Sequence, residues 1–156
     1  MKKWIFESEL EKNPAPHRAP VVTRWGAAIK GKREKEYIAD LSKRILESNM
    51  PILEDGETYF GEEALSIKYT FGFMPAKSWS KKKKEDAFSG RYVLAKPDTD
   101  NVAKATTDVL MDVGIILDDQ YIVRYDKMEK IYTETPFIRI EITTIPPDEY
   151  SKNINS

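Results

Sequence analysis

The chain has 156 residues, a formal net charge of −1 and a hydrophobic content of 40%, which suits one compact domain with a sizeable core and not a disordered chain. It has no cysteine, which excludes disulfides, thiolate metal sites and cysteine nucleophiles. His17 is the single histidine, so zinc sites and His-based triads have almost no ligands to use. No apolar run is long enough to cross a bilayer, and the first residues turn charged too soon for a secretory signal. We therefore expect a cytoplasmic protein.

Hydrophobic spacing predicts a single mixed α/β (α+β) domain, in which two main helices pack on a partly antiparallel sheet. Residues 13–20 carry three prolines and are expected to form an extended loop, and residues 75–90 are expected to form a polar loop. The domain should span residues 1–146, with a flexible tail at 147–156. Strands are predicted at residues 3–8, 64–73, 91–96, 121–131 and 137–144, and helices at 34–48 and 101–113.

The same spacing predicts which faces of these elements are buried. The strand at 64–73 alternates cleanly, which indicates a half-buried strand. The helix at 101–113 should end at Gly114. Expected core residues are Ile38, Leu41, Ile45 and Leu46 in the first helix, Leu65, Ile67, Tyr69, Phe71 and Phe73 in the strand, and Val102, Thr106, Val109, Leu110 and Val113 in the second helix.

The charges are unevenly distributed along the chain. Residues 12–44 contain nine basic and three acidic residues, and residues 77–97 contain seven basic and two acidic residues. Such asymmetry fits a basic face beside an acidic site, but charge counts alone favour an ordinary solvated surface.

Four carboxylates carry the clearest chemical signal. Asp98 and Asp100 would project to the same side of an extended chain, and Asp100 is also well placed to cap the helix that follows. Lys104 lies one helical turn beyond Asp100. After the helix, the chain is long enough to bring Asp118 and Asp119 back beside the first pair.

Four converging carboxylates repel each other, at a cost of about 1 kcal/mol per contact in water and about 4 in a protein-surface dielectric. With only oxygen ligands available, Mg²⁺ or Mn²⁺ would offset that repulsion. Such an ion activates water for attack on a phosphate, and Lys104 would neutralise developing negative charge. Alternatively, the aspartates are turn and cap residues, and either pair alone favours that interpretation. Asp108 and Asp112 are expected to be solvent-exposed.

The segment from residue 96 to residue 120 resembles the RusA family of Holliday-junction resolvases (crossover junction endodeoxyribonucleases). The resemblance also extends over Phe73 to Lys83, which is similar to phage-borne members. The matching residues are Lys96-Pro97-Asp98-Thr99-Asp100-Asn101-Val102-Ala103-Lys104-Ala105, then Asp108-Val109-Leu110, Gly114 and Asp118-Asp119-Gln120.

The resemblance implies a homodimer with two Mg²⁺-dependent active sites, each of which cuts one of two opposed strands of a four-way DNA junction in recombination and repair. It assigns catalytic and metal-binding roles to Asp98, Asp100 and Asp119, and a catalytic role to Lys104. Asp118 is assigned a supporting role at the metal.

Basic residues outside this segment are candidates for phosphate contacts. Lys81, Lys82, Lys83 and Lys84 either bind DNA or form a solvated loop, and the resemblance favours DNA. Trp79 would either stack on an exposed base or pack against the domain. Further candidates, on weaker grounds, are Arg18, Arg24, Lys30, Lys32 and Arg33.

Two other functions compete with junction cleavage. A junction-binding protein without activity would not need the carboxylate set. The third function is a metal-dependent phosphohydrolase of small phosphate esters. The basic segments and the absence of a phosphate-cradling glycine loop argue against it.

Overall fold

The structure of the protein is a computed structural model, and its helices and mixed sheet give the predicted α+β class. Lys30, one of the DNA candidates, and the last five residues of the expected tail, 152–156, lie outside the described part. The described residues are 1–18, 21–22, 24–26, 28–29, 31–48, 50–51 and 53–151.

A four-stranded mixed sheet forms the centre of the fold. Its strands are β1 (Lys3–Glu9), β4 (Leu65–Phe73), β5 (Ile122–Tyr132) and β6 (Phe137–Thr144), and a separate antiparallel pair consists of β2 (Val21–Val22) and β3 (Ala28–Ile29). The strand order of the main sheet is β1-β6-β4-β5. β6 pairs antiparallel with both β1 and β4, whereas β5 pairs parallel with β4. Parallel neighbours need a long crossover, and the chain between β4 and β5 supplies it with two helices.

In the described part of the chain, three α-helices accompany the sheet. The helices are α1 (Lys32–Leu46), α2 (Lys81–Gly90) and α3 (Thr99–Asp112), and two short 3₁₀ helices cover Asp119–Tyr121 and Pro147–Glu149. α1 packs against α3, and α3 packs against β5. No helix in the described ranges combines the length and apolar composition of a membrane span.

The core is built where α1 and α3 meet the sheet, and most of the expected core residues are buried there. The buried face of α1 consists of Glu34, Tyr37, Leu41 and Ile45. It therefore includes Tyr37, which was not expected, and excludes Leu46, which is 60% exposed in the last helical turn. The fully buried side chains include Leu41, Ile45, Leu65, Ile67, Tyr69, Phe71, Val102, Thr106, Val109, Leu110, Ile138, Ile140 and Ile142.

β4 is more deeply buried than a half-buried strand. It lies between β6 and β5, so both of its edges are paired. Ser66 and Gly72, which belong to the face expected to be polar, are also buried. Only Lys68 on this strand is exposed.

The expected polar loop at residues 75–90 is wrong in its second half, because α2 forms there. α2 has no apolar stripe and no buried residue, so a search for hydrophobic periodicity passes over it. It is stabilised locally instead, since the Ser80 hydroxyl accepts a hydrogen bond from the Lys83 backbone N–H (3.1 Å) at the N-terminus.

The predicted strand at residues 91–96 is also wrong. Tyr92 forms only an isolated antiparallel bridge with Ile131. Arg91 adopts a positive φ of 69°, and this left-handed conformation interrupts an extended run.

Gly72 marks a close approach between β4 and the start of β6. A Cβ at this position would lie 2.7 Å from Phe137 Cβ and 2.6 Å from Thr133 Oγ1. We expect Gly72→Ala to lower the free energy of unfolding by roughly 1–3 kcal/mol, as overpacking does. Chemical denaturation measures this, with Gly61→Ala as the matched control because a Cβ at Gly61 meets nothing within 4 Å. Equal unfolding free energies for the two variants would contradict the prediction.

Candidate active site

Asp98 lies at the start of α3, after a cis peptide bond between Lys96 and Pro97. Asp98, not Asp100, is the N-cap residue, and its side chain makes no capping hydrogen bond. Asp100 lies within the first helical turn. The expectation that the two aspartates alternate along an extended chain is therefore wrong, because Thr99 already begins the helix. Both side chains are solvent-exposed at the N-terminal end of α3, where negative charge is favourable.

Asp100, Lys104 and Asp108 form a row along α3, because residues four apart share a helix face. Lys104 is exposed, and within the described part of the chain it has no ion pair. Asp112, one further turn along, is exposed as expected, whereas Asp108 is half-buried.

The segment between α3 and Asp118 is firmly anchored to the core. Gly114 has a positive φ of 83° and ends the helix. Ile115 and Ile116 are fully buried. The carbonyls of Gly114 and Ile115 accept hydrogen bonds from the Tyr59 and Phe60 backbone N–H groups, both at 2.9 Å. The chain is thus fixed immediately before the second carboxylate pair.

Asp118 and Asp119 lie side by side on the surface. Asp118 caps the short 3₁₀ helix and accepts a hydrogen bond from the Gln120 backbone N–H (3.2 Å). Hydrogen bonding between the two carboxyl groups lowers the pKa of Asp118 and raises the pKa of Asp119. Negative charge on Asp118 and on Asp108 raises the pKa of Asp119 further. Asp119 is therefore a carboxyl group whose ionisation a nearby cation would favour.

The 3₁₀ helix that carries Asp119 packs against α3. Two buried hydroxyl pairs hold α3 in place behind it: Tyr37 Oη lies 2.6 Å from Thr106 Oγ1, and Tyr69 Oη lies 2.7 Å from Thr107 Oγ1. Burial raises the pKa of both tyrosines, so both hydroxyls stay protonated and hydrogen-bonded. The rotation of α3 about its axis is set by these contacts.

A divalent cation fits the donor chemistry of this region, although the four aspartates do not converge in one group. Among the described residues, no three acidic or histidine side chains lie close enough together to hold a metal ion. The adjacent Asp118 and Asp119 remain, and Mg²⁺ is commonly bound by one or two carboxylates, with waters and substrate phosphates completing its shell. The residues present are therefore compatible with a cation shared with a phosphate group.

The basic candidates occupy different surroundings. On α2, Lys81 and Lys82 are exposed, while the ammonium group of Lys83 lies 4.1 Å from the centre of the Trp79 ring. The Lys84 ammonium donates to the Lys77 carbonyl (3.3 Å).

Trp79 packs against the domain, with its ring 6.0 Å from that of Tyr132. Arg18 and Arg24 are both exposed, and the guanidinium group of Arg24 lies 5.1 Å from the Trp25 ring.

Three features of this region were not recognised from the sequence. The negative charge of Asp108 raises the pKa of Asp119. Its spacing of four residues from Lys104 could have indicated from the sequence that it shares the helix face of Lys104. Burial raises the pKa of Tyr125, and so does the charge of Asp119. The carboxylate of Glu34 is buried and lies 3.0 Å from His17 Nδ1, so the loop at His17 is tied to the first turn of α1. The contact between His17 and Glu34 joins residues 17 apart in the sequence and leaves no local pattern.

Comparison with protein families gives a match over most of the chain. The family model described as Endodeoxyribonuclease RusA matches residues 12–143 of the 156. The matched region includes α1, α3 and the segment carrying Asp118 and Asp119. Comparison with curated proteins gives no match.

The coupling of the two neighbouring carboxyls predicts the effect of Asp118→Asn. The substitution removes a negative charge beside Asp119 and leaves an amide that can still cap the 3₁₀ helix. We expect the pKa of Asp119 to fall toward the ordinary aspartate value. Carboxyl ¹³C NMR titration of metal-free protein measures it, with Asp86→Asn on the exposed surface of α2 as the control. A pKa of Asp119 that does not fall in Asp118→Asn would contradict the coupling.

Proposed function

The chain belongs to the RusA family of endodeoxyribonucleases, and we propose that it resolves Holliday junctions by metal-dependent nicking of two opposed strands. The observation that carries this proposal is the packing of the 3₁₀ helix bearing Asp119 against α3, which bears Asp100 and Lys104. That packing joins the two halves of the motif spanning residues 96–120. The biological setting that follows is DNA recombination and repair in the cytoplasm.

We assign the metal site to Asp98, Asp100 and Asp119, with Asp118 in support. Because no three of these side chains form one group in the structure, waters and a phosphate of the DNA would have to supply the remaining ligands of a bound cation. When bound, Mg²⁺ or Mn²⁺ would lower the pKa of a water and stabilise charge on the phosphate. Asp98 is suited to this role because its carboxylate is not occupied by helix capping. Asp118 holds the 3₁₀ helix in shape through its bond to the Gln120 N–H, and it keeps Asp119 in a carboxylate pair that attracts cations.

Lys104 is assigned to the charge that develops on the phosphate. It is exposed and has no ion pair in the described part of the chain, so its ammonium group is available to a substrate. A fixed cation at a developing oxyanion lowers the barrier without reorganisation. Its position one turn from Asp100 keeps it on the helix face that carries the carboxylates.

Binding of the DNA backbone is assigned to α2 and to Arg18 and Arg24. Lys81 and Lys82 are exposed and free of ion pairs among the described residues, which makes them better phosphate ligands than Lys83 and Lys84. Lys83 already contacts the Trp79 ring, and Lys84 already donates a hydrogen bond to the Lys77 carbonyl.

The active form is proposed to be a two-fold dimer, because productive resolution requires two cuts and one chain carries one carboxylate site. Twofold pairing is the commonest closed assembly of identical chains. β5 is one of the two edge strands of the sheet, and Val123 and Tyr125 on it are 60% and 44% exposed. This strand is the part of the described surface that we would test first as the interface.

Junction cleavage tests the proposal directly. A labelled four-way junction with Mg²⁺ should receive nicks at equivalent positions on opposed strands, while a linear duplex stays intact and a chelator stops the reaction. Sedimentation should give about twice the 18.0 kDa chain mass. Asp98→Asn, Asp100→Asn and Asp119→Asn should each reduce the rate by roughly a hundredfold or more while junction binding persists. Asp112→Asn, exposed on the same helix, is the control.

Three results would count against parts of this assignment. Cleavage in the presence of chelator would show that the reaction needs no divalent metal ion. Near-normal cleavage rates for all three aspartate variants would show that the active site is not formed by these residues. A monomer that nicks unrelated positions would defeat the dimer while leaving the chemistry intact.

The contribution of α2 is tested by Lys81→Ala combined with Lys82→Ala. Each lost phosphate contact should flatten the log–log dependence of affinity on salt by up to about 0.9. The matched control is Lys35→Ala combined with Lys43→Ala, which removes two exposed lysines from α1. If the salt dependence of affinity has the same slope in the two double variants, α2 is an ordinary solvated surface and does not bind DNA.

A further inference from the structure

A cavity of about 410 Å³ lies beside the start of α3. The loop at residues 13–18 and the beginning of α1 form part of its wall, and Phe73, Lys96 and Pro97 complete it. The His17 backbone N–H donates to the Asn101 carbonyl (2.8 Å), which holds the loop against the first turn of α3. The wall of the cavity therefore leads directly to Asp98.

The charge around this cavity favours an anion. Arg18 and Lys96 line it and are exposed, and neither side chain has an ion pair or hydrogen bond among the described residues. Lys32 and Arg33 also line it, and because both pair with the single carboxylate of Glu36 (3.9 and 3.7 Å), these three residues keep a net positive charge. The acidic residue of the lining, Glu34, is only 4% exposed.

Glu34 is also already engaged within the protein. Its carboxylate accepts a hydrogen bond from the Arg18 backbone N–H (3.2 Å) and lies 3.0 Å from His17 Nδ1. Its negative charge is therefore engaged with the loop that it holds.

The rest of the wall is apolar and stiff. Pro14, Ala15 and Phe73 are buried behind it, whereas Pro16 and Pro97 are half-buried and remain partly open to a ligand. Proline rings fix the backbone φ angle, so this part of the loop has a preset shape. The volume falls within the range of about 300–1,000 Å³ typical of ligand pockets. An apolar wall with cations at its mouth matches a nucleotide, which has a flat base and sugar attached to a phosphate.

We propose that this cavity binds the nucleotide next to the phosphate that is cut, with its base and sugar against the proline wall and its phosphate at Arg18 and Lys96. The inference rests on the proposed function, because it takes DNA as the ligand and Asp98 as part of the cutting site. A base enters such a cavity only after it leaves the stack. The cavity thus adds a positioning site that holds the strand in register with the carboxylates.

Gly31 offers a clean way to close the cavity. It is part of the lining, has an extended backbone (φ −63°, ψ 152°) that any residue adopts, and a Cβ there would meet nothing within 4 Å. Gly31→Phe adds bulk at the cavity, while Gly31→Ser leaves it open and supplies a good N-cap for α1. The thermal melting temperature checks that both variants are folded.

The probe is a synthetic four-way junction with one 2-aminopurine, placed in turn at each nucleotide beside the mapped cut. Binding is measured in chelator, so that no strand is cut, by 2-aminopurine fluorescence and by anisotropy of a distant dye. We expect wild type and Gly31→Ser to raise the fluorescence at one of these positions, because the base unstacks. Gly31→Phe should lose most of that rise while anisotropy still reports binding.

A second pair of variants examines the phosphate contact. Arg18→Ala combined with Lys96→Ala should weaken junction binding and flatten its salt dependence, whereas Lys35→Ala combined with Lys43→Ala should not. No fluorescence rise with wild type, or an undiminished rise with Gly31→Phe, would overturn the proposal. So would a change of salt slope without any fluorescence rise, since the site would then hold a phosphate alone.

Failure of the proposed function looks different. In that case the wild-type protein binds the junction and cuts nothing with any divalent cation. The cut position is then undefined, so the 2-aminopurine is moved across the junction centre. A fluorescence rise that Gly31→Ser keeps and Gly31→Phe loses would still support nucleotide binding in the cavity, and the absence of that difference would still overturn it.

Discussion

The arrangement of the site depends on how α3 is held. Thr106 and Thr107 are buried neighbours that face two different elements: Thr106 bonds to Tyr37 on α1 and Thr107 to Tyr69 on β4. A buried hydroxyl that loses its partner is costly, so a turn of α3 about its axis would break both bonds together. The core thereby determines where the opposite face, with Asp100, Lys104 and Asp108, is presented.

The elements that could be predicted from sequence are those whose burial follows a simple period. β1, β4, β6 and α3 alternate or repeat cleanly, and their bounds agree closely with expectation. α2 was missed because it is stabilised by Ser80 and by good helix formers without an apolar face. Residues 91–96 were misjudged because a single left-handed residue, Arg91, breaks an otherwise extended pattern. Tyr37 was overlooked because its hydroxyl finds a partner that only the tertiary structure supplies.

The site shows the same division. The residues of the motif and the packing of its two halves could be inferred from their spacing, since α3 and the return through Gly114 are local structure. How closely the carboxylates meet could not, because it depends on where the helix begins. Thr99 already belongs to α3, so Asp98 is the N-cap residue and Asp100 lies in the first helical turn. The two side chains therefore do not project to the same side as they would in an extended chain. The contribution of Asp108 arises from the same helical geometry.

The hydrogen bonds that fasten the segment after α3 have a practical consequence for spectroscopy. The Tyr59 and Phe60 amides donate to the carbonyls of Gly114 and Ile115, only a few residues before Asp118. Their rates of exchange with deuterated solvent therefore report on local opening of the acidic segment. Both amides belong to a part of the chain remote in sequence from the carboxylates. They give a readout of the integrity of the site that leaves every aspartate untouched.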